Sequence, residues 1–342
     1  MKITLSDVAQ KAGVSLATAS RVINNSSHKV RDDLRNRVLQ AVAELNYVPN
    51  AHARALVQHE TSTVGIIVHD VSDPYFAEIT RGIQRVASEH ERLVIICNSY
   101  RNPERELAYI DMLRSQRVAA IILAGSGRCD DAFTEALTRQ ITGFRATGGR
   151  VTCIGRHEIH ANSVRPDNYA GGRIAAETLI QLKHQHITVI TGPQSLTTTH
   201  DRLDGFRAAL NAAGLELPDN YIVRGDFTRQ RGYEAMIELL DRDLDPAFSA
   251  VFAASDPAAI GALAALRDRG FRVPEDVSVI GFDDIGFAQD VMPALTTIQV
   301  SMNALGHRAM QLVLSDAGDD PVTEILPCRL IVRDSTAIAK SN

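Results

Sequence analysis

The 342-residue sequence predicts an α/β protein, with a small all-α head followed by a larger body of parallel sheets. Three observations predict it. Residues 4–24 read as two short helices joined by a tight turn. Residues 31–46 repeat apolar side chains at helical spacing. From Thr63 onward, short apolar runs alternate with helical stretches, the rhythm of strands that pair in parallel.

In the first helix Val8, Ala9 and Ala12 form an inward stripe; in the second Ala19, Val22 and Ile23 do the same. Gly13 stands where the first helix must stop and reverse, and Ser15 is placed to cap the second. The outward side of the second helix carries Leu16, Ala17, Ser20 and Arg21, a face that can enter a major groove. Leu34, Val38, Val42 and Leu45 point inward from the third helix. Tyr47-Val48-Pro49-Asn50 ends it, because proline disfavours helix before it. Residues 50–56 are alanine-rich, brief and marginal as an isolated helix. In the body, strands are expected at 64–68, 93–96 and 118–123, with helices at 74–89 and 103–115. A second series follows, with strands at 187–190, 221–223, 250–253 and 277–280 and helices at 202–213, 229–240 and 258–269. Two such series imply two similar lobes, with a ligand crevice at the carboxyl ends of the strands.

The composition, 45% apolar and 23% charged, is that of an ordinary soluble protein. No run reads as a membrane span, and Met1 to Asp7 lacks the apolar stretch of a secretory signal. Cys97, Cys129, Cys153 and Cys328 lack the paired spacing of a zinc site or a disulfide framework, which suits a reduced, cytoplasmic setting. The net charge of −5 hides an asymmetry: the first 60 residues hold eight Lys and Arg against five Asp and Glu. A head of +3 on a body of −8 is the footprint of a protein whose head alone touches phosphates.

Other function classes find little support. Gly125-Ser126-Gly127 lacks the third glycine of a dinucleotide fingerprint. Asp283-Asp284 has no positioned histidine or nucleophile beside it, and His157, His160, His184, His186 and His200 lack ligand spacing. Neither a catalytic site, a metal nor a cofactor is expected. A solute-binding protein of transport type would share the body but not the head.

The chain resembles the LacI/GalR family of bacterial transcription regulators along essentially its whole length. The head carries Asp7-Val8-Ala9, Ala12-Gly13-Val14-Ser15, Thr18 and Ser20-Arg21-Val22-Ile23-Asn24. The connector carries Leu45 to Ala51 and Ala53-Arg54-Ala55-Leu56. The body carries Asp73-Pro74-Tyr75-Phe76, Arg202-Leu203-Asp204-Gly205-Phe206, Ser255-Asp256 and Val279 to Asp284. The resemblance implies a helix-turn-helix DNA-binding domain over 1–48, a hinge helix and linker over 49–62, and an effector-binding, dimerising domain over 63–342. It also implies a two-lobed body like periplasmic sugar-binding proteins. The chain is expected to cross between lobes near 156–162, 286–292 and 320–324. Lobe 1 would then hold about 63–158 and 293–320, and lobe 2 about 163–285 and 325–338. The expected assembly is a homodimer, or a higher assembly, on a pseudo-palindromic operator in double-stranded DNA, and residues 337–342 are expected to be too short for a tetramerising heptad helix, with dimer and tetramer both open.

By the same resemblance, Arg21 donates to a guanine edge, while Leu16 and Ala17 can touch only a thymine methyl. Thr4, Ser15, Thr18, Ser20, Asn24 and His28 would hold phosphates. Leu56 would wedge between base steps in the minor groove, accompanied by Asn50, Ala53 and Arg54. In the crevice, Asp70, Asp73, Tyr75 and Phe76 would face Arg156, Thr198, Arg202, Phe227, Ser255, Asp256 and Asp283. That set favours a hydroxyl-rich small molecule, a sugar or polyol, with a purine or nucleoside as the alternative. The implied function is a transcriptional repressor whose operator affinity a small molecule controls allosterically. The sequence departs from the family pattern at Ala19, Arg31 and Ser255, where a larger branched residue, a serine and an asparagine are commoner.

Overall fold

The computed structural model describes residues 3–24, 28–48, 62–242, 244, 247–315 and 320–340. Two compact units emerge, Met1–Ser62 and Thr63–Asn342. In the first, α1 (Leu5–Ala12), α2 (Leu16–Ile23) and α3 (Asp32–Glu44) pack around fully buried Val8, Ala19 and Val38. Thr4 and Asp7 close a capping box on α1, each satisfying the other's backbone N–H. Gly13 turns left-handed at φ 62°, which a side chain resists. Arg37 of α3 donates to the Gly13 carbonyl at 3.2 Å and ties the turn to the third helix. Arg31 gives α3 no side-chain cap and pairs with Asp33 instead, while Asp32 and Asp33 supply negative charge to its first turn. The connector residues Asn50, Ala53, Arg54 and Leu56 lie outside the described residues.

The body holds two six-stranded sheets. The first contains β1 (Thr63–Val68), β2 (Leu93–Asn98), β3 (Ala120–Ala124), β4 (Arg150–Ile154), β5 (Asn162–Pro166) and β11 (Thr323–Leu326), in the order β11-β5-β4-β3-β1-β2. The second contains β6 (Ile187–Thr191), β7 (Ile222–Arg224), β8 (Ala250–Ala253), β9 (Ser278–Asp283), β10 (Thr296–Gln299) and β12 (Arg329–Ile331), in the order β12-β10-β9-β8-β6-β7. Every pairing is parallel except β10 with β12. The central strands β3, β6, β8 and β9 are buried along their length, as parallel strands covered on both faces must be.

The lobe boundaries differ from those expected. Residues 162–166 still pair with β4, residues 296–299 pair with β9, and residues 323–326 pair with β5. The chain therefore crosses after β5, after β10 and between β11 and β12, each time one strand later than 156–162, 286–292 and 320–324. Hydrogen-bonded pairing decides membership of a sheet, and short strands such as Thr296–Gln299 carry too little periodicity to reveal it.

Helices α4 (Pro74–Glu89), α5 (Pro103–Ser115), α6 (Asp131–Arg145), α7 (Asn168–Gln181), α8 (Thr197–Ala212), α9 (Arg229–Leu240), α10 (Asp256–Asp268) and α11 (Met302–Leu314) complete the body. In the second lobe two helix pairs meet backbone to backbone. A methyl on Gly172 of α7 would lie 2.0 Å from the Arg202 carbonyl, and one on Gly205 of α8 would lie 2.0 Å from that of Tyr169. Gly232 and Gly261 do the same for α9 and α10. Stacked Phe206 and Phe252, with ring centres 4.6 Å apart, fill the core beneath. Strand ends give way to helix starts through polar caps: Asp73 for α4, Asp167 for α7, Thr228 for α9 and Ser255 for α10. The residues that begin these helices therefore gather at one end of the sheets.

Candidate functional sites

On the head, α2 buries Ala19 and Val22 and turns Leu16, Ala17 and Arg21 outward. Leu16 is 51% exposed, an apolar side chain held in water by a short helix. The small polar residues around it are partly committed to the fold. Thr4 donates its hydroxyl to Asp7 at 2.8 Å. Ser15 caps α2 and shares a hydrogen bond with Thr18 at 2.9 Å, and Asn24 donates to Ser20 at 3.2 Å. His28 is exposed.

The body contains a cleft of about 940 Å³, counting its open mouth, between the two lobes. Of the residues the sequence points to, Asp73, Tyr75, Phe76, Thr198, Arg202, Phe227, Ser255 and Asp283 line it. Asp70, Arg156 and Asp256 do not. Asp70 accepts from the Ser72 N–H at 2.9 Å in the turn before α4. Asp256 is fully buried, accepting from the Thr297 hydroxyl at 2.5 Å and the Ile285 N–H at 2.9 Å. It fixes the start of α10 to the end of β9. Arg156 is engaged by two carboxylates, Asp201 and Glu158.

The second-lobe wall is built from buried, mutually satisfied charge. Arg202, 4% exposed, donates to Asn168 Oδ1 at 2.9 Å, to the Ala254 carbonyl at 2.5 Å and to Asp283 at 3.0 Å. Its guanidinium lies 3.7 Å from the centre of the Phe282 ring. Burial pushes the Asp283 carboxyl up to about 7 against the pull of Arg202. Asp283 and Phe227 hold left-handed backbone, φ 116° and 71°, strain of the kind that collects at functional sites. The Phe227 ring is seated on Gly192, where a methyl would strike it at 2.0 Å. Ser255 donates to the Phe227 carbonyl at 3.1 Å, so its hydroxyl hydrogen is already engaged.

The first-lobe wall is different. His69, Ser99, Arg101, Glu106, Ser126, Arg128 and His157 line it, and none of them was singled out from the sequence for a binding role. His69 Nδ1 and Arg128 Nε are buried without a hydrogen-bond partner. Burial raises the Glu106 carboxyl to about 7, opposed by the charge of Arg128. Burial lowers His69 and His157 to about 4, so both rings are neutral at neutral pH. The signal that could have found this wall is position. His69 follows β1, Ser99 and Arg101 follow β2, Ser126 and Arg128 follow β3, and His157 follows β4, all at carboxyl ends of parallel strands.

The lobes also bond to one another at the rim. Cys129 N–H donates to the Ser195 carbonyl at 2.8 Å and Thr197 N–H to that of Gly127 at 3.0 Å, with a bridge between Arg128 and Leu196. Thr197 Oγ1 donates to the Arg156 carbonyl at 2.9 Å, and Ser126 donates its hydroxyl to Thr198. On the other rim Arg101 donates to the Asp226 carbonyl at 2.8 Å and lies over the Phe227 ring. No metal-ligand cluster and no helix long and apolar enough to cross a membrane occur among the described residues.

Comparison with known proteins gives these sites a context. Residues 4–50 match the family model for bacterial regulatory proteins of the lacI family. Residues 61–333 match that for periplasmic binding proteins and the sugar binding domain of the LacI family. The HTH-type transcriptional repressor CytR of Escherichia coli K12 is 36% identical over 336 residues, covering 97% of this chain and 96% of its own. The solved complex of the transcriptional regulator CelR with cellobiose is 34% identical over 97% of this chain and 99% of its own, with a TM-score of 0.70. The lac repressor dimer bound to operator and the anti-inducer ONPF is 27% identical over 98% of this chain and all of its own, with a TM-score of 0.84.

Proposed function

The chain belongs to the LacI family of bacterial regulatory proteins, and from that premise we propose that it is a cytoplasmic transcriptional repressor that reads DNA with its head and a sugar or polyol with its cleft. Residues 1–48 serve as the DNA-binding domain, 49–62 as hinge and linker, and 63–342 as the effector-binding and dimerising domain. It acts by binding, not by catalysis. The observation that carries the reading is the cleft wall of Arg202, Asn168 and Asp283 faced by unpartnered polar atoms of the first lobe. Each guanidinium and carboxyl can bracket a ligand hydroxyl as donor and acceptor, while Phe76 and Phe227 offer flat faces to sugar C–H groups. The cellobiose complex of CelR supports the same ligand class.

On the head, Arg21 reads a guanine edge, with Leu16 and Ala17 beside it against thymine methyls. Thr4, Ser15, Thr18, Ser20, Asn24 and His28 set the register on phosphates. Asn50, Ala53, Arg54 and Leu56 form a connector that orders against the minor groove, and cleft occupancy shifts the population able to do so. A homodimer places two heads on one operator. Phe287 and Met292, 63% and 92% exposed beyond β9, are candidates for its apolar contact.

The test has two arms. Selection of bound sequences from a random duplex library should yield a pseudo-palindrome whose affinity falls steeply with salt. A thermal-shift screen of sugars, polyols and nucleosides should then find a ligand that changes that affinity. A chain that stabilises with sugars but ignores every duplex would overturn the repressor reading; stabilisation by nucleosides alone would replace the effector class. Arg21→Ala should cost about 1–3 kcal/mol on the selected site and relax one base position. Leu56→Ala should weaken operator binding and leave the ligand's affinity unchanged.

A further inference from the structure

We propose that the Arg156–Asp201 ion pair is a latch that holds the two lobes closed, so that these residues set how long a bound small molecule stays without touching it. Neither side chain lines the cleft. Arg156 leaves the first lobe at the end of β4, and Asp201 sits in the second turn of α8 in the second lobe. They join through two parallel hydrogen bonds, Nη2 to Oδ1 at 2.7 Å and Nε to Oδ2 at 3.2 Å. This fork geometry is the strong form of a charged pair. The third guanidinium nitrogen, Nη1, is held by Glu158 at 2.8 Å, so the fork is aimed before it meets its partner.

The same residue is gripped a second time across the cleft. Its carbonyl accepts from the Thr197 hydroxyl, four residues before Asp201 on the same helix. Around it run the backbone bonds from Cys129 to Ser195 and from Thr197 to Gly127. These bonds join residues of different lobes, so they exist only in the closed arrangement and break together when it opens. Within this rim the ion pair is the link whose strength a side-chain substitution can tune without altering backbone or ligand contacts. At the opposite rim Arg101 also bridges the lobes, but it lines the cleft itself and would confound any such substitution.

The latch bears on effector binding only through the reading of the cleft given above, so it is tested first without effector. Amide hydrogen exchange of the full chain reads the rim directly, because Cys129 and Thr197 donate their N–H groups across it. In Asp201→Asn and Arg156→Met these two amides should exchange at least about tenfold faster, the loss expected for a charge-assisted bond. Amides of β3 and β6, inside each lobe, should keep their rates. The double variant Arg156→Asp with Asp201→Arg should recover part of the protection. Unchanged exchange at Cys129 and Thr197 in both single variants would overturn the latch. So would acceleration that spreads equally into β3 and β6, which marks a pair supporting the fold. With a ligand from the screen, Asp201→Asn should raise the dissociation rate and leave association unchanged; an unaltered dissociation rate would likewise overturn it. A wild-type chain that binds no small molecule would remove the effector reading and leave the exchange result standing.

Discussion

The two walls of the cleft are built on opposite plans. The second-lobe wall is largely tied to itself: Arg202 commits three of its five N–H donors to Asn168, Ala254 and Asp283, and Ser255 is tied to Phe227. The first-lobe wall keeps open valences at His69 Nδ1 and Arg128 Nε and a raised carboxyl at Glu106. A buried polar atom without a partner is costly, and a ligand hydroxyl relieves that cost. The difference teaches that one wall is scaffold as much as site, while the other contributes chiefly recognition.

Substitutions can break that contrast. Asp283→Ala should have the largest effect, because it strands the charge of Arg202 in the interior: about 3–5 kcal/mol of stability lost, read by urea denaturation of the full chain. It should also abolish the ligand response while operator binding persists in the folded fraction. Glu106→Gln, on the other wall, should cost little or nothing. Its pH dependence sharpens the point. The Glu106 carboxyl is raised in the fold from 4.5 to about 7, so its contribution to stability is full below pH 4.5 and fades as pH rises through 7. The melting temperature of Glu106→Gln should therefore gain on wild type from pH 5 to pH 8. An advantage that shrank over that range would refute the raised carboxyl.

His157→Gln should show the smallest effect, with the opposite sign. The ring is lowered from 6.5 to about 4, so the stability it contributes is present above pH 6.5 and lost as pH falls toward 4. The variant should gain on wild type as the buffer is taken from pH 6.5 to pH 4.5, measured as a difference in melting temperature. Equal slopes for the two proteins would place His157 in water. If Asp283→Ala proved no more damaging than Glu106→Gln, the two walls would be equivalent after all.

The contrast also explains what the sequence disclosed. Helices at 74–89, 103–115 and 229–240 and the strand at 250–253 were legible to the residue, because proline or a polar cap starts them and apolar spacing runs uninterrupted. The helices α6, α7 and α11 and the strands β4, β5, β10, β11 and β12 were not marked as elements. Several are short, and pairing at a sheet edge leaves little trace in a run such as Arg329–Ile331. In the cleft, the second-lobe residues stood out because their motifs, Arg202 to Phe206 and Val279 to Asp284, also serve the core. In the first lobe the Asp73-Pro74-Tyr75-Phe76 motif stood out in the same way, whereas His69, Ser99 and Arg128 sit singly on loops after strands, where no local pattern distinguishes them from ordinary surface residues, and Glu106 lies within α5. Asp70, Arg156 and Asp256 lie outside the cleft lining for a related reason: charge near a cleft can be spent on the protein itself.

The glycine contacts between α7 and α8 carry a consequence for how such a cleft can change its ligand. Gly172 and Gly205 let each helix rest on the other's carbonyls, and Asn168 and Arg202 are mounted on that joint. Even one added methyl there would pry the mounting apart and move both groups at once. His69 and Ser99, on the loops after β1 and β2, are not mounted on a glycine joint between helices, so their side chains can be exchanged one at a time. Redesign for a new ligand should begin on those loops and leave the mounting untouched.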